Sequence, residues 1–488
     1  MTQKSLKKNV FLNMTKTVMG LIFPIITFPY ASRILLPEGI GKVNFANSIV
    51  GYFTLIGGLG VYGYAVREAS RLRDDKDALS KFTKEIFLIN TIATIIAYLL
   101  FIIAIMLSPK LQLYKNLLFL ASSTIVFNLL GIEWLYAAEE DYAYITIRSI
   151  FLQIISLFIL FLFVRTQDDY MQYTAMGIFS SVGANICNFI HSRKYINWTK
   201  HYSLSLQPHV KSIFVFFGMA LVTSIYTILD TSMLGYLSDD IQTGFYSAAT
   251  KVNRMVLAVI IAATNVLLPR LAYYQSNEKE NAVLDLLNKS LRFTHFIAIP
   301  AACGLFILAK PIVMIISGRN YLPAVISMQV ISPILFVIPT ANIVGVQTCT
   351  VFKKEKIILY AEIAGALSNI ICNSIFIPQY GALGAAIGTV AAETVVTAIE
   401  FVYVHSYFRL KEQCINIAQI CISSCAMVFG LLHIAKFIQN YVILLIVSIA
   451  AGCCIYGITL LLLRNKTAWE FVNGILHRAN STPSQSDS

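Results

Sequence analysis

The chain has 488 residues, of which 57% are hydrophobic and only 13% charged, where an ordinary soluble domain carries roughly 25% charged residues. Its net charge of +12 raises nucleic acid as a partner, but the cations fall in short clusters between long apolar runs, so no nucleic acid is expected. A bilayer is the solvent that such a composition fits.

A helix needs roughly 20 apolar residues to cross a hydrocarbon core about 30 Å thick. Such runs are predicted at residues 10–30, 42–66, 83–107, 114–137, 145–165, 170–192 and 211–237. A second set follows at 243–268, 291–316, 323–350, 356–377, 382–405, 413–437 and 441–463. The expected fold is therefore all-α and polytopic, with about fourteen transmembrane helices. The gaps between runs reach only about 22 residues, too few for a folded domain outside the membrane. The first run is too long for a signal-peptide core and lacks a small-residue cleavage site, so it is expected to stay as the first helix.

With the N-terminus inside, 25 lysines and arginines fall on the inner side, against 8 in the outer loops and helix ends. This asymmetry predicts a multi-pass inner (plasma) membrane protein with both termini cytoplasmic. The nine cysteines lie in or at the ends of predicted helices and read as small packing residues. No Cys/His spacing matches a zinc site and no phosphate-binding glycine loop is present, so neither a metal nor an organic cofactor is expected.

The chain also repeats itself. At a shift of 203, Gly41, Asn44, Ala46 and Ile49 fall on Gly244, Ser247, Ala249 and Val252, and Arg67 falls on Arg270. Gly131 to Asp141 matches Gly345 to Glu355 at a shift of 214, and Tyr173, Ala175 and Gly177 match Tyr380, Ala382 and Gly384 at 207. Six helices followed by six similar ones in the same orientation predict parallel lobes that enclose an alternating-access cavity. The expected division is 1–205 for the N-lobe, 206–410 for the C-lobe, 411–465 for an accessory helix pair and 466–488 for a cytoplasmic tail.

Short motifs along these spans carry a resemblance. Arg33, Leu35, Pro37, Glu38 and Gly41 stand around the first outer loop, followed by the stretch Asp230 to Gly235 and by Gly244, Tyr246, Ser247, Ala248, Ala249 and Lys251. Leu268, Pro269 and Arg270 close the eighth span, and Tyr380 to Ala386 opens the twelfth. In this order they resemble the polysaccharide-transporter branch of the multidrug/oligosaccharidyl-lipid/polysaccharide exporter superfamily, the O-antigen and capsule repeat-unit flippases. Leu36 stands where that family usually has glycine. The resemblance implies a two-lobed bundle that moves an undecaprenyl-diphosphate-linked oligosaccharide from the cytoplasmic to the outer leaflet. It also implies membrane lipids and other polysaccharide-assembly proteins as partners, and no enzymatic activity.

Ionisable residues at membrane depth cost about 2.5–3.5 kcal/mol each and need a reason. Asp230 and Lys251 share a depth on either side of the turn between spans 7 and 8, and Arg254 is one helical turn deeper on the face of Lys251. At the shift of 203 these three correspond to Thr27, Ser48 and Gly51, so one excess cation belongs to the C-lobe. Lys251 and Arg254 are candidates to hold a diphosphate with Asp230 positioning Lys251; the alternative is a buried pair plus a snorkelling arginine. Lys16 and Arg33 in span 1 are further candidates for the headgroup, or else interface anchors. Glu393, near the middle of span 12 with Glu400 two turns on, is the ion-coupling candidate, or else a packing residue. Pro24 and Pro29 are expected to bend span 1, and Gly57, Gly58, Gly60 and Gly63 to loosen span 2 or pack it closely. A drug/cation antiporter of the same superfamily and a membrane polysaccharide polymerase or glycosyltransferase remain the alternatives.

Overall fold

The computed structural model describes residues 6–265, 268–276 and 280–480. Residues 266 and 267, within the predicted eighth span, and 481–488, within the predicted tail, lie outside the described residues. The fold is all-helical, with ten helical segments long and apolar enough to cross a membrane among the described residues. In chain order the main helices are α1 (Leu6–Gly58), α2 (Val61–Leu72), α3 (Lys76–Leu107), α4 (Lys115–Asn128), α5 (Glu133–Ala138), α6 (Tyr142–Phe163), α7 (Tyr170–His191) and α8 (Gln207–Leu237). They continue with α9 (Asp240–Asn265), α10 (Leu268–Ser276), α11 (Glu280–Ile307), α12 (Ala324–Ile331), α13 (Glu355–Tyr380), α14 (Ala382–Val404), α15 (Leu410–Ile434), α16 (Tyr441–Leu462) and α17 (Lys466–Asn480).

Several predicted spans take an unexpected form. Runs 10–30 and 42–66 belong to one apolar stretch, Phe11–Leu72. Its backbone leaves helical geometry at Leu36 (φ 58°), immediately before Pro37, and not at Pro24 or Pro29. The ring of a proline disfavours the α region for the residue before it, and of the three prolines in α1 only Pro37 has that residue leave it. That left-handed φ also accounts for the glycine usual at this position. The glycine cluster in span 2 ends the helix instead of loosening it, since Leu59 and Gly60 both take positive φ. Run 114–137 is divided between α4 and α5. Helices α3 and α11 begin before the predicted runs because helix continues past the hydrocarbon; Asp75 caps α3 by accepting from the Asp77 and Ala78 amides at 3.0 and 2.9 Å.

The chain forms two compact units. The first comprises Met1–Ser247 and Asn373–Ala382. Here α1 packs against α3, α4, α6 and α8. Phe45, Ala46 and Ile49 of α1 meet Ala97 and Phe101 of α3 and Leu118 and Ala121 of α4 in one core. A second core joins Tyr64 and Ala65 of α2, Phe82 of α3, Trp134 of α5 and Ile213 of α8. His209 pins the start of α8 to this core, spanning the Tyr64 hydroxyl at 2.7 Å and the Glu85 carboxylate at 3.0 Å. In the loop closing the α6–α7 hairpin, the Arg165 and Thr166 amides donate to Asp169 and hold its carboxyl below the usual carboxylate range. Ile95, Leu99 and Ile103 stay exposed along one side of α3, the apolar stripe a span turns to lipid.

The second unit comprises Ala248–Cys372 and Leu383–Ser488. Leu287 and Leu291 of α11 pack against Ile343, Val344 and Val404. The α15–α16 hairpin lies on α11 through Met427, Leu431 and Tyr456, whose hydroxyl donates to the Phe296 carbonyl at 2.7 Å. Residues 466–480, within the predicted tail, form α17, and Ala468 joins this core.

Within the first unit one contact reflects the internal repeat. A Cβ on Gly41 would fall 1.7 Å from the Asp240 carbonyl oxygen, and one on Gly244 2.0 Å from the Pro37 carbonyl oxygen. The shift of 203 that relates the two glycines also relates Pro37 to Asp240, so each repeat seats its glycine on the backbone of the other. Gly41→Ala and Gly244→Ala are each expected to destabilise the protein by about 1–3 kcal/mol or more. A thermal unfolding midpoint in detergent equal to the parent's would refute that contact.

Candidate functional site

The cations expected on α9 share one side of that helix. Arg254 is exposed and Lys251 half-buried, while Val252, Asn253, Leu257 and Ile260 turn inward. Three-residue spacing on a helix gives this arrangement. Asn253 satisfies its amide on the Ala249 carbonyl at 2.9 Å and so helps hold the turn that presents the cations.

Asp230 lies in the first unit and is only 6% exposed. Its Oδ2 accepts from the Tyr246 hydroxyl at 2.5 Å and its Oδ1 from the Asn373 amide at 2.7 Å. Neither partner was legible beforehand; Asn373 is 143 residues away in sequence. A carboxylate buried at this depth persists only when its oxygens are hydrogen-bonded, and these two donors supply that.

Lys16 meets a protein carboxylate. Its Nζ lies 2.5 Å from Glu133 Oε1, and Glu133 Oε2 takes Arg148 Nη2 at 2.9 Å. Arg148 is 7% exposed and also donates to the Asn188 side chain and to the Ala184 carbonyl. Residues from α1, α5, α6 and α7 thus form one ionic tie in the first unit, with two cations on one carboxylate. Glu133 and Arg148 both lie inside predicted spans, so the membrane-depth criterion applied to Lys16 was the signal for them too. Arg33 is exposed on α1; seventeen residues of helix place it roughly 26 Å along the axis from Lys16, so the two do not form one site.

On α14, Glu393 is half-buried whereas Glu400 is only 2% exposed. Glu400 Oε2 has no hydrogen-bond partner among the described residues. Its carboxylate occupies the space a side chain would need at Gly345, where a Cβ would fall 2.1 Å from Oε1. Gly345 belongs to a π-helical turn, Asn342–Gln347, whose wider backbone coil often marks functional positions. Of the two carboxylates, Glu400 is the one the fold withdraws furthest from solvent.

The second unit also holds an open apolar cavity of about 640 Å³ that hydropathy alone did not reveal. Phe296, Pro300 and Gly304 of α11, Met427 of α15 and Gly452 of α16 line it. Val256 reaches it from α9, two residues beyond Arg254.

Residues 6–275 match the family model described as polysaccharide biosynthesis protein. A relative from Escherichia coli (strain K12), provisionally named an O-antigen transporter, is 25% identical over 82% of this chain and 97% of its own length. The solved structure of lipid II flippase MurJ in its inward closed conformation superposes with a TM-score of 0.75 at 18% identity, covering 92% of this chain and 98% of that one. An inward-facing multidrug resistance MATE family transporter of the MOP superfamily superposes at 0.61 with 13% identity, covering 80% of this chain and 94% of that one. These two likenesses establish the fold.

Glu133→Gln leaves two cations sharing a neutral amide, and is expected to destabilise the protein by roughly 2 kcal/mol. Adding Lys16→Met should recover part of that loss. Additive losses in a double-mutant cycle of thermal or denaturant unfolding would show that the tie is not coupled.

Proposed function

Because the chain belongs to the polysaccharide biosynthesis protein family, the polysaccharide-transporter branch of the multidrug/oligosaccharidyl-lipid/polysaccharide exporter superfamily, we propose that it flips a polyprenyl-diphosphate-linked oligosaccharide across the membrane. The substrate passes from the cytoplasmic to the outer leaflet by alternating access, supporting assembly of an O-antigen or capsule-like polysaccharide at the inner membrane. The relative named as an O-antigen transporter aligns over nearly its whole length, which supports this class of cargo.

The observation that carries the reading is the pairing of charge and oil on α9. Lys251 and Arg254 present cations along the less buried side of the helix, and Val256, on the opposite side of the same helix, opens onto the apolar cavity. A lipid-linked glycan is built the same way, with a charged diphosphate joined to a long apolar chain. Arg254 grips the phosphate oxygens with its planar fork and Lys251 adds a point charge. Asp230, held by Tyr246 and Asn373 in the first unit, has the hydrogen bonds that a carboxylate needs to persist at that depth. Cationic side chains of this kind repel a cationic drug, which disfavours an antiporter for such compounds.

The coupling ion in this reading is a proton taken up on α14, where Glu393 faces less protein than Glu400. A carboxylate that is buried with one oxygen unpaired is more easily held neutral than charged, so protonation there is sensitive to the arrangement of its neighbours.

Arg254→Ala is expected to lower translocation of a polyprenyl-diphosphate glycan in proteoliposomes at least tenfold, the loss of one charge-assisted grip of about 1.5–3 kcal/mol. Translocation at the parental rate with normal insertion would remove Arg254 from the site. Glu400→Gln should abolish the response of transport to an imposed pH gradient, with Glu393→Gln reducing it less. A response untouched in both variants would rule out proton coupling through α14.

A further inference from the structure

Away from α9, the first unit holds a second place where charge and an apolar surface meet. Helices α6 and α7 are joined by residues 164–169 and pack along their length. At the end opposite that loop they line an open groove of about 690 Å³. We propose that this groove seats the phosphodiester headgroup of an anionic phospholipid, at a site separate from the one that handles the transported substrate.

The floor of the groove is aromatic and cationic. The Tyr144 and His191 rings stack at 3.9 Å and 17°, and the Arg148 guanidinium lies 5.8 Å from the centre of the Tyr144 ring. Arg148 donates to Glu133, Asn188 and Ala184, and its buried Nε has no hydrogen-bond partner among the described residues. Lys194 stands at the rim with its side chain 59% exposed. Its nearest carboxylate, Asp141, is 3.6 Å away and already accepts the Tyr195 hydroxyl at 2.5 Å.

The lips are apolar. Ile147 and Phe151 on α6 are 68% and 62% exposed, and Ile190 on α7 is similarly open. Because α6 is long and apolar enough to cross a membrane, side chains left bare on it face acyl chains. A free phosphate would find no use for such lips, whereas a phospholipid lays its chains along them.

Charge selects among lipids. Among the described residues, salt bridges at the groove join Lys16 and Arg148 to Glu133 and Lys194 to Asp141, three cations to two carboxylates. One positive charge is left over, which matches the single negative charge of a phosphodiester better than the greater charge of a diphosphate. The Lys76 ammonium donates to the Lys194 carbonyl at 3.5 Å, so the groove lies at the end that carries the basic loops. The positive-inside rule assigns that end to the cytoplasmic leaflet, where anionic headgroups concentrate.

Native mass spectrometry of the purified full chain, titrated with phosphatidylglycerol or with phosphatidylcholine of the same acyl chains, tests the assignment. The parent protein should retain phosphatidylglycerol about fivefold more strongly, the effect of one basic residue near an anionic headgroup. Lys194→Glu should erase that preference. Ile147→Trp, which keeps every charge but fills the groove, should lower phosphatidylglycerol retention. Equal retention of both lipids by the parent, or an undiminished preference in Lys194→Glu, would overturn the site. Displacement of phosphatidylglycerol by equimolar polyprenyl diphosphate in the parent but not in Ile147→Trp would overturn the choice of a phospholipid and give the groove to the substrate lipid.

Discussion

The contact on which this architecture turns is between backbones. Gly41 rests on the Asp240 carbonyl and Gly244 on the Pro37 carbonyl, with no room for a methyl group at either place. In a bilayer the lipid tails are as apolar as leucine, so helices gain little from burying oil and associate instead by close approach. A duplicated segment makes that approach twice, because whatever surface the first copy presents, the second presents too. The result is a self-complementary pair of contacts of the kind that relates subunits in a symmetric dimer, here made within one chain. Such a contact fixes the distance between the two backbones to within the width of a methyl group.

Charge is distributed under the same constraint. Where an ionisable group is withdrawn from water, the structure gives it partners: Tyr246 and Asn373 on Asp230, Arg148 and Lys16 on Glu133, and His209 on Glu85. Removing one member of such a set strands the others in a medium that solvates them poorly. Glu400 departs from this pattern, because one of its oxygens lacks a partner and Gly345 leaves only enough space to admit the carboxylate. An exception of that kind is informative because a buried charge is so costly to leave half satisfied.

The parts legible in the sequence are those with a period. Helices at membrane depth and the duplication both repeat along the chain, and the i, i+3 spacing of Lys251 and Arg254 fixes their common side on α9. What escaped has no local signature. Asn373, which donates to Asp230, and Glu133, which pairs with Lys16, lie 143 and 117 residues away from them, and only the packing of remote helices brings them near. Helix ends escaped for a different reason. Hydropathy marks where oil stops, whereas a helix stops where its backbone is capped, as Asp75 caps α3 well outside the apolar run. The π-helical turn beside Glu400 likewise has no residue pattern that announces it.

Leu36 shows how a departure from a family pattern gains a physical meaning. As a sequence feature it is one missing glycine among many matches. In the fold it is a residue at positive φ, at the bend that leads α1 toward Gly41. A leucine in that conformation stores strain of about 1–3 kcal/mol, which holds only if the surroundings fix the backbone more firmly than the side chain disfavours it. Pro37 helps do so through its carbonyl, on which Gly244 sits. The bend is therefore maintained by the same contact that joins the two repeats, and the side chain at position 36 is tolerated because that contact leaves the chain no other course.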